Sequence, residues 1–316
     1  MKSETSSATC ISIRLIGGLR VERAGRVMTA ATLGSPKARQ VLEILALQPG
    51  ISVSRERMIE LLWGGNPPAT ARATLESYVS VIRRHIQPGQ AKTGPLRTEH
   101  GCYFLEPKLV SVDLDRFERL VGRVDGTKPA EAYERLLKVL DMATAPLLSD
   151  ELTVEWAEEA RRRHEALVVD CRIRAAQAAV AVGNNDDAVH WAQRAVASEP
   201  LNERAWTALV AGLEQSGRYT EALQAYDRYR TSLRRDLGCS PGDELQAAHS
   251  RLLRQTSSGE ADLAELLSAL LCLNEHVKQR AGGRPAGPRI PGLDVADHIT
   301  AGSVIGSFLD KALAAA

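Results

Sequence analysis

Two glycines, Gly183 and Gly217, stand 34 residues apart, and so do two alanines, Ala188 and Ala222. A period of about 34 residues marks tetratricopeptide-type helix pairs, units that bury their apolar faces only by stacking on one another. The second unit carries Trp206, Leu209, Gly217, Ala222 and Tyr226 at the pattern positions, and the first supplies Gly183, Ala188, Ala195 and Pro200. Small Gly and Ala are expected where paired helices approach closely, with Trp, Leu and Tyr filling the gaps between pairs. The surrounding stretch, from VDLDRFERLV at Val112–Val121 to about Leu253, is almost entirely helix-periodic, so residues 108–256 read as an all-α domain.

The first third reads differently. Ile11 to Ile16 alternates as a strand does, Gly17-Gly18 turns the chain, and Leu19 to Glu22 returns. Ser35-Pro36 then supplies an N-cap and first-turn proline for a helix burying Val41, Leu42, Leu45 and Ala46, which stops at Pro49-Gly50. A second helix starts near Ser54, buries Met58, Leu61 and Leu62, and breaks at GGNPP. In the third, Ala71, Leu75, Val79, Ile82 and Ile86 recur at helical spacing, which turns Arg72, Thr74, Ser77, Tyr78, Val81 and Arg84 outward. LRTEHGCYFLE follows as a hairpin turning near His100-Gly101. Sheet, three helices and hairpin is the order of a winged helix-turn-helix, so residues 11–107 are expected to form one, after a disordered N-terminus at 1–10.

Charge supports a polyanion partner for that module. Residues 1–107 carry 14 basic against 8 acidic side chains, a net +6, whereas 108–256 sum to −3 and 257–316 to −2. In the third helix Arg72, Arg83 and Arg84 suit phosphates or guanine edges, Thr74, Ser77, Tyr78 and Ser80 suit hydrogen bonding, and Val81 suits a thymine methyl; Arg97 and His100 add contacts from the hairpin. Double-stranded promoter DNA is the expected partner.

Beyond Ser257, Leu263, Leu266, Leu270, Leu273 and Val277 alternate three and four apart. This extra amphipathic helix, 257–281, reads as a cap on the repeats or a short self-association seam. Residues 282–292 form a Gly/Pro linker and 293–316 a last helix.

Other function classes find little support. The five cysteines are scattered singly, with no zinc-ligand spacing, and are expected as reduced buried thiols; no metal or other cofactor is expected. No apolar run approaches a membrane span and no signal core opens the chain, so a cytoplasmic protein without a membrane partner is expected. Metalloprotease, hydrolase-elbow and dinucleotide motifs are absent, so no enzyme is expected. The competing reading is a tetratricopeptide-type protein-interaction scaffold with little DNA affinity.

LESYVSVIRRHI resembles the recognition helix of response-regulator-type winged helices, and TEHGCYFLE resembles their wing, with His100 where those wings commonly carry Arg. Taken with LGSPKARQVLEILAL, TARATLESYVSVIRR, VDLDRFERL and LNERAWTALVAGLEQSGRYTEALQAYDRYRTSLRRDLGCSPGDEL, residues 11–255 resemble the Streptomyces antibiotic regulatory protein family. The resemblance implies an activator of an antibiotic or secondary-metabolite gene cluster, a DNA-binding domain followed by a bacterial transcriptional activation domain. It further implies direct-repeat binding near a promoter as a homodimer or higher assembly, and contact with RNA polymerase holoenzyme. The loop from Trp63 to Pro68 is by that resemblance the polymerase-contact candidate, with Trp63, Gly64, Gly65 and Asn66 foremost. Larger relatives append a nucleotide-hydrolysing module, but no G-x-x-x-x-G-K-[ST] run occurs here.

Overall fold

The computed structural model describes residues 10–90, 93–151 and 153–256. It is mainly helical: a winged helix-turn-helix at the N-terminal side leads into an all-α repeat region. Of the N-terminus expected disordered at 1–10 only Cys10 is described; residues 1–9, the leucine seam, the 282–292 linker and the last helix lie outside the described residues.

The first sheet is larger than the sequence pattern announced. Strands β1 (Ile11–Arg14), β2 (Arg20–Arg23) and β3 (Arg26–Thr29) form an antiparallel meander. Helices α1 (Pro36–Leu47), α2 (Arg55–Trp63) and α3 (Ala71–Ile86) follow, with the two-residue strand β4 (Val53–Ser54) between α1 and α2. Hairpin strands β5 (Leu96–Glu99) and β6 (Cys102–Leu105) pair with β4 in a second sheet, ordered β4-β6-β5. The chain then returns as β7 (Val110–Val112), parallel to β1, so the first sheet is ordered β3-β2-β1-β7. β3, β4 and β7 went unread in the sequence because two to four residues give too little alternation to register.

β7 lies just past residue 107, where the first domain was expected to end, and the backbone around it crosses that line repeatedly. Asp113 opens helix α4 (Asp113–Gly122), and its carboxylate accepts from the backbone N–H of Leu15 at 2.8 Å and Ile16 at 3.0 Å. Asp150 accepts from Leu19 N–H, while Pro146 accepts from Gly17 and Leu15 from Leu148. Contacts accordingly group the chain into a unit ending at Gly212 and a second beginning at Leu213.

Within the first unit, α5 (Pro129–Met142), the 27-residue α6 (Glu155–Ala181) and α7 (Asn185–Ser198) pack side by side; α8 (Glu203–Gln215) follows and contains the boundary between the units. The second unit holds α9 (Tyr219–Leu237), closed by Gly238 in the left-handed region, and a helix over 243–256. There Tyr226 stacks on His249 with ring centroids 4.1 Å apart.

The repeat alanines and large side chains are buried as expected, whereas Pro200 is exposed and the two spaced glycines serve another purpose. Ala188 and Ala222 are fully buried, and Trp206 lies in the core with its indole N–H on Pro200 O at 2.8 Å. Gly183 (φ 79°) and Gly217 (φ 70°) have open space where a Cβ would sit. They are therefore required by left-handed helix-ending turns rather than by close approach. Close approach falls to Gly212 instead, where a Cβ would meet Ala188 Cβ and Val189 Cγ2 at 3.3 Å. The thiols also depart from expectation: Cys171 is buried and pushed up to about 12 by desolvation, but Cys10 and Cys239 are exposed, Cys102 is half-buried, and Cys272 lies outside the described residues.

At the joint between α1 and the 148–151 segment sits a buried polar group. Glu43 is fully buried, Gln40 Nε2 donates to Glu151 Oε2 at 2.7 Å, and Arg39 lies 3.8 Å from Glu151. Desolvation first, then the charges of Glu151 and Asp150, push the Glu43 carboxyl up to about 8.

Two outcomes follow for stability. Asp113→Ala strands two buried backbone donors and should cost about 2–4 kcal/mol in denaturant unfolding, with Asp113→Asn recovering part of it. The folded state holds a proton on Glu43 that the unfolded state releases above its ordinary value near 4.5, so Glu43 erodes stability as pH rises from there towards 8. Glu43→Gln should therefore gain about 2 kcal/mol on the native chain when the pair is compared at about pH 8.5 rather than pH 6. A gap between the two proteins that stays constant across that range would refute the buried-proton assignment.

Candidate nucleic-acid interface

Helix α2 begins where Ser54 Oγ accepts from Arg57 N–H at 3.1 Å, and it ends at Gly64, whose φ of 62° turns the chain. Lys37 of α1 donates its ammonium to Leu62 O, placing a cation on the carbonyl end of α2. Pro67 and Pro68 keep the helix from continuing, and α3 starts after Thr70. Ala71, Leu75, Val79, Ile82 and Ile86 of α3 are all buried, as the spacing demanded.

Thr70 makes no side-chain cap, the first turn of α3 carries no acid, and its last turn carries Arg83, Arg84 and His85. The uncapped N–H groups of that first turn suit an anion. The hairpin β5-β6 turns through His100 (φ 47°) and Gly101 (φ 80°), two consecutive left-handed residues that match the twist of a tight hairpin. Gly101 O accepts from Arg55 N–H at 3.2 Å, and the Arg55 guanidinium is held charged by its hydrogen bond to Tyr103, so the wing is fastened to the start of α2.

The ten nominated DNA contacts separate into groups. Ser77, Ser80 and Arg84 lie exposed opposite the buried stripe, with Arg72 exposed on one flank and Thr74 half-buried on the other. Among the described residues neither Arg72 nor Arg84 has a carboxylate within ion-pair distance. Ser80 donates its hydroxyl to Glu76 O at 2.8 Å, which leaves the oxygen lone pairs to accept from an incoming donor.

Three others are occupied by the fold. Arg83 donates to Leu96 O at 3.3 Å and to Thr98 Oγ1 at 2.7 Å, tying the helix to β5. Tyr78 stacks on Trp63 with centroids 6.2 Å apart and planes 17° from parallel. Val81 lies against the backbone of Gly34, where an added Cβ would come within 2.9 Å of its Cγ1. In the wing, Arg97 pairs with Glu106 at 3.5 Å, while His100 stands exposed at the tip.

Two further α3 residues, Ala73 and Glu76, are exposed; a lone Ala carries no polar signal, and an acid does not suit a phosphate-facing surface. Ala73, Ser77, Ser80 and Arg84, spaced four, three and four, form the most outward stripe. Glu76 lies 3.7 Å from Arg55. Trp63 likewise departs from its expected place: it is the last residue of α2, partly buried against the core, and the exposed loop begins at Gly64 and runs through Gly65 and Asn66.

Comparison with known proteins decides the family. Residues 22–102 match the transcriptional regulatory protein C-terminal domain, and residues 112–253 match the bacterial transcriptional activator domain. Regulatory protein DnrI of Streptomyces peucetius is 30% identical over 259 residues, covering 77% of this chain and 92% of its own length. Transcriptional regulator RedD of Streptomyces coelicolor is also 30% identical, over 78% of this chain and 71% of its own. The chain belongs to the Streptomyces antibiotic regulatory protein family.

This antibiotic-regulatory-protein chain also shares its fold with EmbR of Mycobacterium tuberculosis, solved in complex with a low-affinity phosphopeptide. The TM-score is 0.69 at 27% identity, over 83% of this chain and 71% of that one. The relatives are named as regulators, and the domain matches make this chain a transcriptional regulator of the activator type. Among its described residues no group of three or more His, Cys, Asp or Glu side chains is placed to hold a metal, and no helix is long and apolar enough to cross a membrane.

The split among the α3 residues gives an expected outcome. Arg83→Ala should lower the melting temperature by loosening the wing, whereas Arg84→Ala should leave thermal unfolding within about 0.5 kcal/mol of the native chain, as for an unpaired surface residue. Equal destabilisation by both would overturn the division.

Proposed function

We propose that this regulator is a sequence-specific activator of a biosynthetic gene cluster, binding direct repeats in promoter DNA and recruiting RNA polymerase holoenzyme. The reading is carried by the outward stripe of α3, where Arg84, two serines and a small apolar residue stand clear of the fold, with the unpaired Arg72 on its flank. An α-helix fits the major groove, which is about 12 Å wide. There Arg84 suits a guanine edge or a phosphate, Ser77 and Ser80 suit the exocyclic amines of adenine or cytosine, and the Ala73 methyl suits a thymine methyl. A phosphate fits the uncapped start of α3 beside Arg72.

The same division of residues assigns the wing a minor part. Arg97 is already paired, and the His100 imidazole, lacking the planar five-donor fork of Arg, contributes less to a narrow groove. Specificity therefore rests on α3. The exposed turn of Gly64, Gly65 and Asn66 stands beside that helix and is our candidate for polymerase contact, with Trp63 and Tyr78 as the aromatic base beneath it. Assembly as a homodimer or larger array on tandem sites follows the direct-repeat reading.

Fluorescence titration with promoter DNA over a range of salt concentrations tests the proposal. Affinity should fall steeply as salt rises, because neutralised phosphates release counterions. Arg84→Ala should cost about 1–3 kcal/mol and relax preference at one base pair if it reads a base, whereas a phosphate contact would weaken all sequences alike and reduce the salt slope by about 1. No binding to the promoter of the neighbouring cluster at low salt would defeat the reading in favour of a protein-interaction scaffold. Asn66→Ala should leave DNA affinity unchanged and lower transcription in vitro; an unchanged transcript yield would remove the loop from the polymerase assignment.

A further inference from the structure

In the helical region, the segment joining α5 to α6 roofs a cleft of about 390 Å³ whose other walls are α6 and α7. One side is apolar, formed by Ala143, Ala145, Pro146, Val168 and Val169. The other is polar and cationic. Arg172 reaches in from α6 and donates to Ser198 Oγ at 2.7 Å, but its buried Nε has no partner. Arg194 of α7 lies over the Trp191 ring at 5.4 Å, and among the described residues neither arginine has a carboxylate within ion-pair distance. Burial, and then the nearby charge of Arg194, make the Arg172 guanidinium easier to deprotonate than usual, the signature of a cation short of a counter-charge.

His164 lines the same cleft. It is only 3% exposed, and neither ring nitrogen has a hydrogen-bond partner. Burial holds its pKa down to about 4, so the ring is neutral and offers one donor and one acceptor, both unused. A buried polar side chain left wholly unpaired is costly and uncommon, and this one borders the cleft.

We propose that this cleft binds a small organic acid, its carboxylate held between Arg172 and Arg194, its apolar body against the Val168–Val169 wall, and a polar substituent or oxygen on His164. A single negative charge suits the site better than a dianion such as phosphate, because Glu165 and Glu199 also line it. Glu199 is engaged by Asn202 at 2.7 Å, and Glu165 is exposed. The volume accommodates a one- or two-ring acid.

The position makes the occupant an effector. Pro146, on the apolar wall, accepts the Gly17 N–H of the first sheet at 2.9 Å, and Leu147 bridges to Ile16. His164 packs edge-on against Phe117 at 4.8 Å, one helix turn from Asp113, which holds the same strand. A ligand that moves either contact acts on the strand that carries the winged helix. That consequence rests on the DNA-binding reading; the site itself does not.

Calorimetric titration of the full chain at neutral pH, with no DNA present, separates the two. The probes are benzoate and 1-naphthoate, their uncharged amides, and inorganic phosphate. Each acid is expected to bind at least tenfold more tightly than its amide, with 1-naphthoate ahead of benzoate and phosphate weakest. Arg172→Gln and Arg194→Gln should each weaken 1-naphthoate at least tenfold without lowering the melting temperature, since each removes one of two adjacent like charges. Acids no tighter than amides, phosphate equal to 1-naphthoate, or undiminished acid binding by the Arg172→Gln/Arg194→Gln double variant would each overturn the proposal.

Discussion

The N-terminal strand cannot satisfy its own backbone. Leu15, Ile16, Gly17 and Leu19 end β1 and turn towards β2, and their N–H groups are taken by Asp113, Pro146 and Asp150, all from the region after the wing. Leu15 and Ile16 are buried, so each donor would otherwise forfeit its hydrogen bond without recourse to water. β7 completes the sheet from the same side. The winged helix therefore owes its first sheet to the activation domain, and a match ending at residue 102 and another starting at 112 meet across a shared piece of structure.

The buried carboxyls at the same joint impose geometry rather than strength. Glu43 loses hydration, faces the charges of Glu151 and Asp150, and keeps its proton. Glu151, in turn, is held by Gln40 and approached by Arg39, and its backbone carbonyl accepts from Arg161 of α6 at 2.8 Å. Both Glu43 carboxyl oxygens and Gln40 Oε1 lack a hydrogen-bond partner, so the alignment is set by the Gln40–Glu151 and Arg161–Glu151 hydrogen bonds, which a shift would break. Such a cluster fixes α1, and with it the helix pair beneath α3, against the start of α6.

Long periodic segments were legible in the sequence, and short or non-local ones were not. The buried stripe of α3, the Ser35 and Ser54 caps, the wing turn at His100-Gly101 and the buried repeat alanines each depend on neighbours within a few residues, which a pattern preserves. β7 has three residues and finds its partner almost a hundred positions away, so no local periodicity announces it. Gly183 and Gly217 were located correctly but for the wrong reason, since a fixed spacing reveals that a glycine is needed and not whether φ or crowding needs it. Nothing local marks His164 and Arg172 as a pair in a helix rich in charge; only the fold shows that they line one cleft.

The interface of α3 illustrates how tertiary structure narrows a sequence-level reading. A helix exposes more than half its circumference in the abstract, and ten residues on that arc and on the wing were nominated. The hairpin claims one flank through Arg83, and the Gly34 turn together with Trp63 claims the other through Val81 and Tyr78. What remains is a ridge about one side chain wide, running from Ala73 to Arg84. A narrow ridge is the geometry that groove reading requires, since side chains on the flanks of a seated helix meet phosphates while those on its crest meet base edges. Arg83, Tyr78 and Val81 are thus the residues whose packing holds the crest in place.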